Sequence, residues 1–141
     1  MTTPMNGPLN GIKVLDLTTV FMGPHCTQIL AEYGADVIKL EAPEGDIMRH
    51  IPPARHENMG PLFMLANRGK RSIVLDIKTA AGRAATLKLA AQCDVLVYNL
   101  RPQAMARLGL SYADLTAINP NIIYVGAFGY GQDGPYAAHP A

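Results

Sequence analysis

A chain of 141 residues, 49% of them apolar, is long enough for one domain with a buried core and is neither disordered nor fibrous. Twelve basic and 11 acidic side chains leave a formal charge of +1, so composition gives no support to nucleic-acid or membrane-surface binding, and an anion has to be held locally. Cys26 and Cys93 stand without CxxC spacing or a secretory leader, which points to a reduced, cytoplasmic setting; no apolar run reaches a membrane span, and His25, His50, His56 and His139 lack metal-ligand spacing, so no metal site is expected.

Residues 1–8, with Pro4, Gly7 and Pro8, read as an extended arm before the domain at 9–141. "GIKVLDL" is a strand interrupted only by Asp16. Pro24 suits the first turn of a helix that Gly34 closes, and "ADVIKLE" is the second strand, ended by Pro43. From Ala42 to Gly60 prolines, glycines and mixed charges show no period, which marks a loop long enough to suspect function. "GPLFMLANRG" follows as a short helix. Lys70 and Arg71 then enter the strand "RSIVLDI", where a basic pair is expected to be solvated. Lys78 to Gln92 is amphipathic, with Ala84, Leu87, Leu89 and Ala90 at helical spacing. "CDVLVYNL" is the fourth strand. Ser111 caps the helix "YADLTAIN", and Pro120 separates it from the fifth strand, "IIYVGAF".

Strands alternating with helices predict an α/β fold: a Rossmann-like parallel sheet with helices on both faces, its strands reading as doubly covered Val/Ile/Leu runs. The first strand and helix imitate a dinucleotide-binding unit, but their turn, "TTVFMGP", has one glycine where the phosphate fingerprint needs three. In such sheets ligands collect at the carboxyl ends of the strands, here "TTVFMG", "EAPEG", "DIKT", "NLRPQ" and "FGYGQDG". Lys78, Asn99, Arg101 and, in the next helix, Arg107 are suitable anion donors there. Surface charges near helix ends account for them equally well. Asp16 and Glu41 are read as strand-end residues held by local hydrogen bonds, and Cys26 as an apolar filler. The glycine-dense "GYGQDGPY" is either a loop that approaches a ligand closely or a connector.

"PLNGIKVLDLTTVFMGPHCTQILAEYGADVIKLEAPEGD", "NRGKRSIVLDIKTAAGR", "CDVLVYNLRPQAMARLGLSYADL" and "NPNIIYVGAFGYGQDGPY", with a closing "HPA", resemble in order and spacing the amino-terminal part of the class III CoA transferases, the family of formyl-CoA transferase, carnitine CoA transferase and α-methylacyl-CoA racemase. The resemblance implies a large domain that binds coenzyme A as a thioester substrate, and an interlocked homodimer acting on an acyl-CoA and a carboxylic acid. It places Phe21 and Met22 against CoA, Leu75, Asp76, Ile77 and Lys78 at the third-strand exit, Asn99, Leu100 and Arg101 at the fourth, and Arg107 on a CoA phosphate. A CoA thioester does not require a three-glycine turn.

Thr19 and Ala42 depart from formyl-CoA transferase, which has histidine and arginine there, so formate or oxalate is not the expected substrate. The family's transferases form an aspartyl-CoA intermediate on an aspartate that no residue here matches. The chain is therefore read as cut before the catalytic aspartate, which is expected beyond Ala141, and no catalytic residue is assigned within it. Three functions stay open: the CoA-binding part of a CoA transferase, an acyl-CoA racemase or isomerase on the same scaffold, and an inactive CoA-binding fragment.

Overall fold

The apolar runs become five strands, β1 (Lys13–Leu17), β2 (Asp36–Glu41), β3 (Arg71–Val74), β4 (Val95–Tyr98) and β5 (Ile123–Gly126), in a computed structural model that describes residues 7–137 and 139. Residues 1–6 of the expected arm, and Pro140 and Ala141 of the closing motif, lie outside the described residues. All strand pairs are parallel, in the order β3-β2-β1-β4-β5. The connections run outward from β1 in one direction to β3, then jump back to β4 and run the other way. Right-handed crossovers therefore put the first two helices on one face and the rest on the other.

On the first face lie α1 (Met22–Glu32) and α2 (Pro61–Ala66); α3 (Ala80–Ala90), α4 (Pro102–Arg107) and α5 (Tyr112–Ile118) cover the second. Because strand side chains alternate, each strand feeds both layers. Val14, Val37 and Val97 join Ala31 and Ala35 beneath α1. Leu15, Leu17, Leu40, Leu96 and Tyr98 meet Ala90, Met105, Leu110 and Leu115 in the larger core under α3, α4 and α5.

Only the inner strands are covered as doubly buried strands should be. On the edges Val74 is 57% exposed, Ile123 59% and Val125 40%, because α1 lies over β1 and its neighbours and nothing among the described residues crosses the first face of β5.

Local chemistry sets the boundaries. Val74 ends β3 three residues earlier than its apolar run suggests, since the Asp76 carboxylate accepts a hydrogen bond from the Lys78 amide (3.0 Å) and turns the chain. Thr79 then caps α3 by accepting from the Gly82 amide at 3.0 Å, so that helix begins at Ala80 rather than Lys78. Ser111 and Asp114 form a reciprocal capping box on α5. The long loop after β2 is not featureless: Ile47–His50 form a 3-10 turn capped by Asp46.

The buried stripe of α3 is Gly82, Thr86 and Ala90, while Ala84 faces solvent and Leu87 and Leu89 are half-buried. Small residues let this helix press on the β3 exit so closely that a Cβ on Gly82 would stand 2.0 Å from the Asp76 carbonyl oxygen. Gly82→Ala is expected to lose about 1–3 kcal/mol by forcing that contact apart, despite alanine's better helix propensity. Urea unfolding measures it, and an unchanged midpoint would show that the helix is free to move away.

Candidate functional site

Three polar side chains sit side by side across the first face, one or two residues short of the strand ends. Asp16 of β1 is the register partner of Lys39 on β2, and Lys39 that of Ser72 on β3. Asp16 is fully buried and Lys39 1% exposed. Charges this deep are tolerable only when paired and hydrogen-bonded. Lys70 enters from the turn before β3, its side chain 1% exposed, and its ammonium lies 2.8 Å from an Asp16 carboxylate oxygen. It also donates to the Pro24 carbonyl and the Asn67 side-chain oxygen, each at 2.8 Å, so all three of its protons are placed. Lys39 donates to the Thr18 carbonyl (2.8 Å) and to Asp46 (2.9 Å). Two residues further along β2, Glu41 is gripped by both arms of the Arg49 guanidinium, at 2.7 Å each, and accepts from Ser72 Oγ at 2.6 Å. The guanidinium itself lies 3.7 Å above the Phe63 ring of α2. Three acids thus neutralise three bases. Among the described residues no buried side-chain nitrogen or oxygen lacks a partner.

This cluster corrects two expectations. Lys70 is not solvated; only Arg71 of that pair faces water, bonded to Asp36 at the surface. Asp16 and Glu41 do take local hydrogen bonds, but their main partners come from residues 54 and 8 positions away. Burial by itself raises the Asp16 carboxyl, yet Lys70, Lys39 and the Thr18 hydroxyl hold it below the ordinary carboxylate value. Burial likewise opposes ionisation of Glu41, and the hydrogen bonds from Arg49 and Ser72 overcome it, holding its pKa at about 2. A signal for the cluster was present in the sequence: Asp16 and Lys39 are the lone charges inside otherwise apolar strand cores.

Directly above this cluster runs the β1–α1 loop. Asp16 accepts from the Thr18 amide and hydroxyl and from Thr27 Oγ1, which ties strand, loop and helix together. The lone glycine of the turn, Gly23, has a packing role: a Cβ there would stand 2.5 Å from that of Thr18. Phe21 and Met22 are exposed, the latter at 63%. Cys26 is exposed rather than an apolar filler, since position 26 faces outward while Thr27 and Gln28 take the buried side of α1.

The β1, β4 and β5 exits border a cleft of about 500 Å³ lined by Met22, Asn99, Arg101, Phe128, Tyr130 and Gln132. Asn99 does not reach freely into it, for its amide clamps Thr19 by accepting from the backbone N–H (3.1 Å) and donating to the carbonyl (2.9 Å). Phe21 stacks on His25 beside the cleft. The remaining expected residues are distributed around it. Leu75, Ile77 and Leu100 are half-buried and pack on the larger core, Asp76 shapes the turn before α3, and Lys78 is exposed. Arg101 caps α4 and Arg107 ends it; both are exposed and neither forms an ion pair among the described residues. Six residues place them about 9 Å apart along the helix. Gly129 and Tyr130 of the glycine-dense loop line the cleft wall, so the loop is part of the site's border. Among the described residues, no group of three His, Cys, Asp or Glu side chains is arranged to hold a metal, and no helix is long and apolar enough to cross a membrane.

Comparison with known proteins finds a family match over nearly the whole chain. The family profile described as CoA-transferase family III matches residues 9–141. An acyl-CoA transferase of Fusarium pseudograminearum is 49% identical over 139 residues, covering 92% of this chain and 30% of the relative. Acetyl-CoA:oxalate CoA-transferase of Acetobacter aceti is 45% identical, covering 99% of this chain and 36% of the relative. The crystal structure of a CaiB/BaiF family protein from Brucella suis superposes with a TM-score of 0.91 at 41% identity, covering 96% of this chain and 37% of that one. The chain spans about a third of the length of the curated relatives it matches.

The Glu41 pairing predicts a defined acid sensitivity. A carboxyl held below its unfolded value stabilises the fold while ionised, fully above pH 4.5 and less and less as pH falls to about 2. Urea midpoints measured from pH 5 to 2 are expected to fall in the parent and to fall less steeply in Glu41→Gln. Equal slopes would remove Glu41 from the acid response.

Proposed function

This chain belongs to CoA-transferase family III, and on that premise we propose that it is the CoA-binding part of an enzyme that moves CoA between an acyl-CoA and a carboxylic acid. The observation that carries the proposal is the convergence of the β1, β4 and β5 exits on one cleft, apolar on the Met22 and Phe128 side and bordered by the unpaired guanidinium of Arg101. A CoA thioester is long and chemically divided in the same way, with phosphates at one end and an acyl thioester at the other. Phe21 and Met22 supply an apolar wall for the thioester end. Lys78, Arg101 and Arg107 supply charge for the phosphates, and the planar, permanently charged forks of the two arginines suit phosphate oxygens. Leu75, Ile77 and Leu100 offer the half-buried apolar surface between them, and Asp76 and Asn99 act by shaping the loops rather than by touching phosphate.

In this reading the covalent step belongs to an aspartate outside these 141 residues: its carboxylate attacks the acyl thioester to give a mixed anhydride and CoA thiolate, the thiolate attacks the aspartyl carbonyl and releases the donor acid, and the aspartyl-CoA so formed passes CoA to the incoming acid by the same two steps in reverse. These residues bind and orient. Thr19 and Ala42 argue for a carboxylic acid other than formate or oxalate. The bare apolar edges at Val74, Ile123 and Val125 fit coverage by further chain, from the same subunit or from the second subunit of an interlocked homodimer. The free thiols Cys26 and Cys93 suit the reducing cytoplasm.

Two outcomes test the proposal. CoA thioesters, and not NAD, should protect the protein against thermal unfolding, by roughly 2.7 kcal/mol at a hundred times the dissociation constant; protection by NAD alone sinks it. Arg107→Ala should weaken CoA binding by about 1.5–3 kcal/mol in calorimetry with the unfolding midpoint unchanged, and Arg107→Lys should recover part of the loss. Parent-like binding by both variants would return Arg107 to the solvated surface.

A further inference from the structure

The β1–α1 loop is strained and tied down at the same residues. Val20, a β-branched residue, sits at φ 72°, a region it enters only when its surroundings hold it there. The restraint is visible on both sides. The Lys39 ammonium donates to the Thr18 carbonyl at 2.8 Å, and its other partner, Asp46, accepts from the Val20 amide at 3.3 Å and the Met48 amide at 3.0 Å. Lys39 therefore grips Thr18 directly and Val20 through Asp46. Between them Thr19 has both backbone groups clamped by Asn99. Three consecutive residues thus have backbone polar groups bonded to side chains of β2, the loop after β2 and the β4 exit. The next two, Phe21 and Met22, stand exposed beside the cleft.

We propose that Lys39 and Asp46 are positioning residues for CoA transfer: their buried ion pair holds the Thr18–Met22 loop in a single strained shape before the substrate arrives. This rests on the transferase reading above. A preformed loop spares the substrate the ordering entropy and keeps the reacting atoms within the narrow geometry that transfer needs. The hydrogen bonds that complete this buried pair run to the Thr18 carbonyl and the Val20 amide, so the contacts that satisfy its charges also fix the loop.

The test uses the protein at its natural length and assembly, with Lys39→Met, Val20→Gly and their combination. Glycine holds the φ of residue 20 without strain, so a loop carrying it keeps its shape with less help. Lys39→Met is expected to speed hydrogen exchange at residues 18–22 ahead of the strands and to lower turnover by roughly 10- to 100-fold, with a smaller change in KM, at a temperature where the variant is folded. In the Val20→Gly background the same substitution should cost several-fold less, a coupling that a role in stability alone does not produce. Should Lys39→Met not fold, Asp46→Asn replaces it, since the amide oxygen still serves Val20 and Met48 while the charge is gone; slower turnover and faster loop exchange are again expected. Equal losses in both backgrounds with unchanged loop exchange would overturn the proposal, as would failure of every variant to fold. If the parent transfers no CoA, the transferase reading fails instead, and loop exchange, which needs no substrate, still decides whether the pair holds the loop.

Discussion

Six paired charges, all buried except the partly exposed Arg49, govern the carboxyl end of this sheet. Asp16, Lys39, Lys70, Asp46, Glu41 and Arg49 come from two strands, a turn and a loop, and their net charge is zero. Taking each ion out of water costs several kcal/mol, and the pairings offset that only while their geometry is kept. Every element that contributes an ion is consequently fixed relative to the others. Lys70 locks the turn before β3 onto the start of α1 through the Pro24 carbonyl, Arg49 locks the 3-10 turn onto β2 and the Phe63 ring, and Lys39 and Asp46 reach the β1–α1 loop. The apolar cores hold the layers together, but apolar contacts are tolerant of small slides. The polar cluster is not, and it stands next to the exits where a ligand collects.

Most of the architecture was legible from periodicity and punctuation. Apolar runs between Pro, Gly, Ser and Thr located all five strands, and their alternation with helices was sufficient for a parallel sheet with helices on both faces. What periodicity could not supply was coverage. Val74, Ile123 and Val125 belong to runs that read as fully buried, yet they lie on edge strands where no described helix reaches them. Strand order decides this, and strand order is set by tertiary contacts. The β3 boundary failed for a local reason, because Asp76 turns the chain within an apolar run.

The site was legible unevenly. Met22, Asn99 and Arg101 do come together at one cleft, as strand-exit reasoning expects, whereas Leu75, Asp76, Ile77, Lys78, Leu100 and Arg107 surround it at a distance. Lys70 was misread because a lysine beside an arginine at a strand entrance is ordinarily solvated. Its burial follows from Asp16, 54 residues earlier, which needs a cation. Long-range pairing of that kind leaves no local trace except the charge itself, inside a strand where an apolar residue would be expected. Asn99, which reads as a ligand donor and lines the cleft, also clamps Thr19. Amides at strand exits are suited to both tasks, and only the neighbouring backbone distinguishes them.

The lone glycine of the β1–α1 turn now has a physical explanation. A loop that wraps a pyrophosphate spends its glycines on bringing bare amides up to the anion. Here Gly23 instead brings α1 onto Thr18, and backbone groups of Thr18, Thr19 and Val20 are occupied by Asp16, Lys39, Asn99 and Asp46. The amides of Thr18, Thr19 and Val20, engaged in this way, are not free to wrap a phosphate. What the turn offers outward is shape and apolar surface, in Phe21 and Met22. Two cations without an ion pair among the described residues, Arg101 at the amino-terminal cap of α4 and Arg107 at its end, stand on the neighbouring exit. Met22 and Phe128 thus bring apolar surface, and Arg101 positive charge, to the same strand exits, and a ligand held there has to match both.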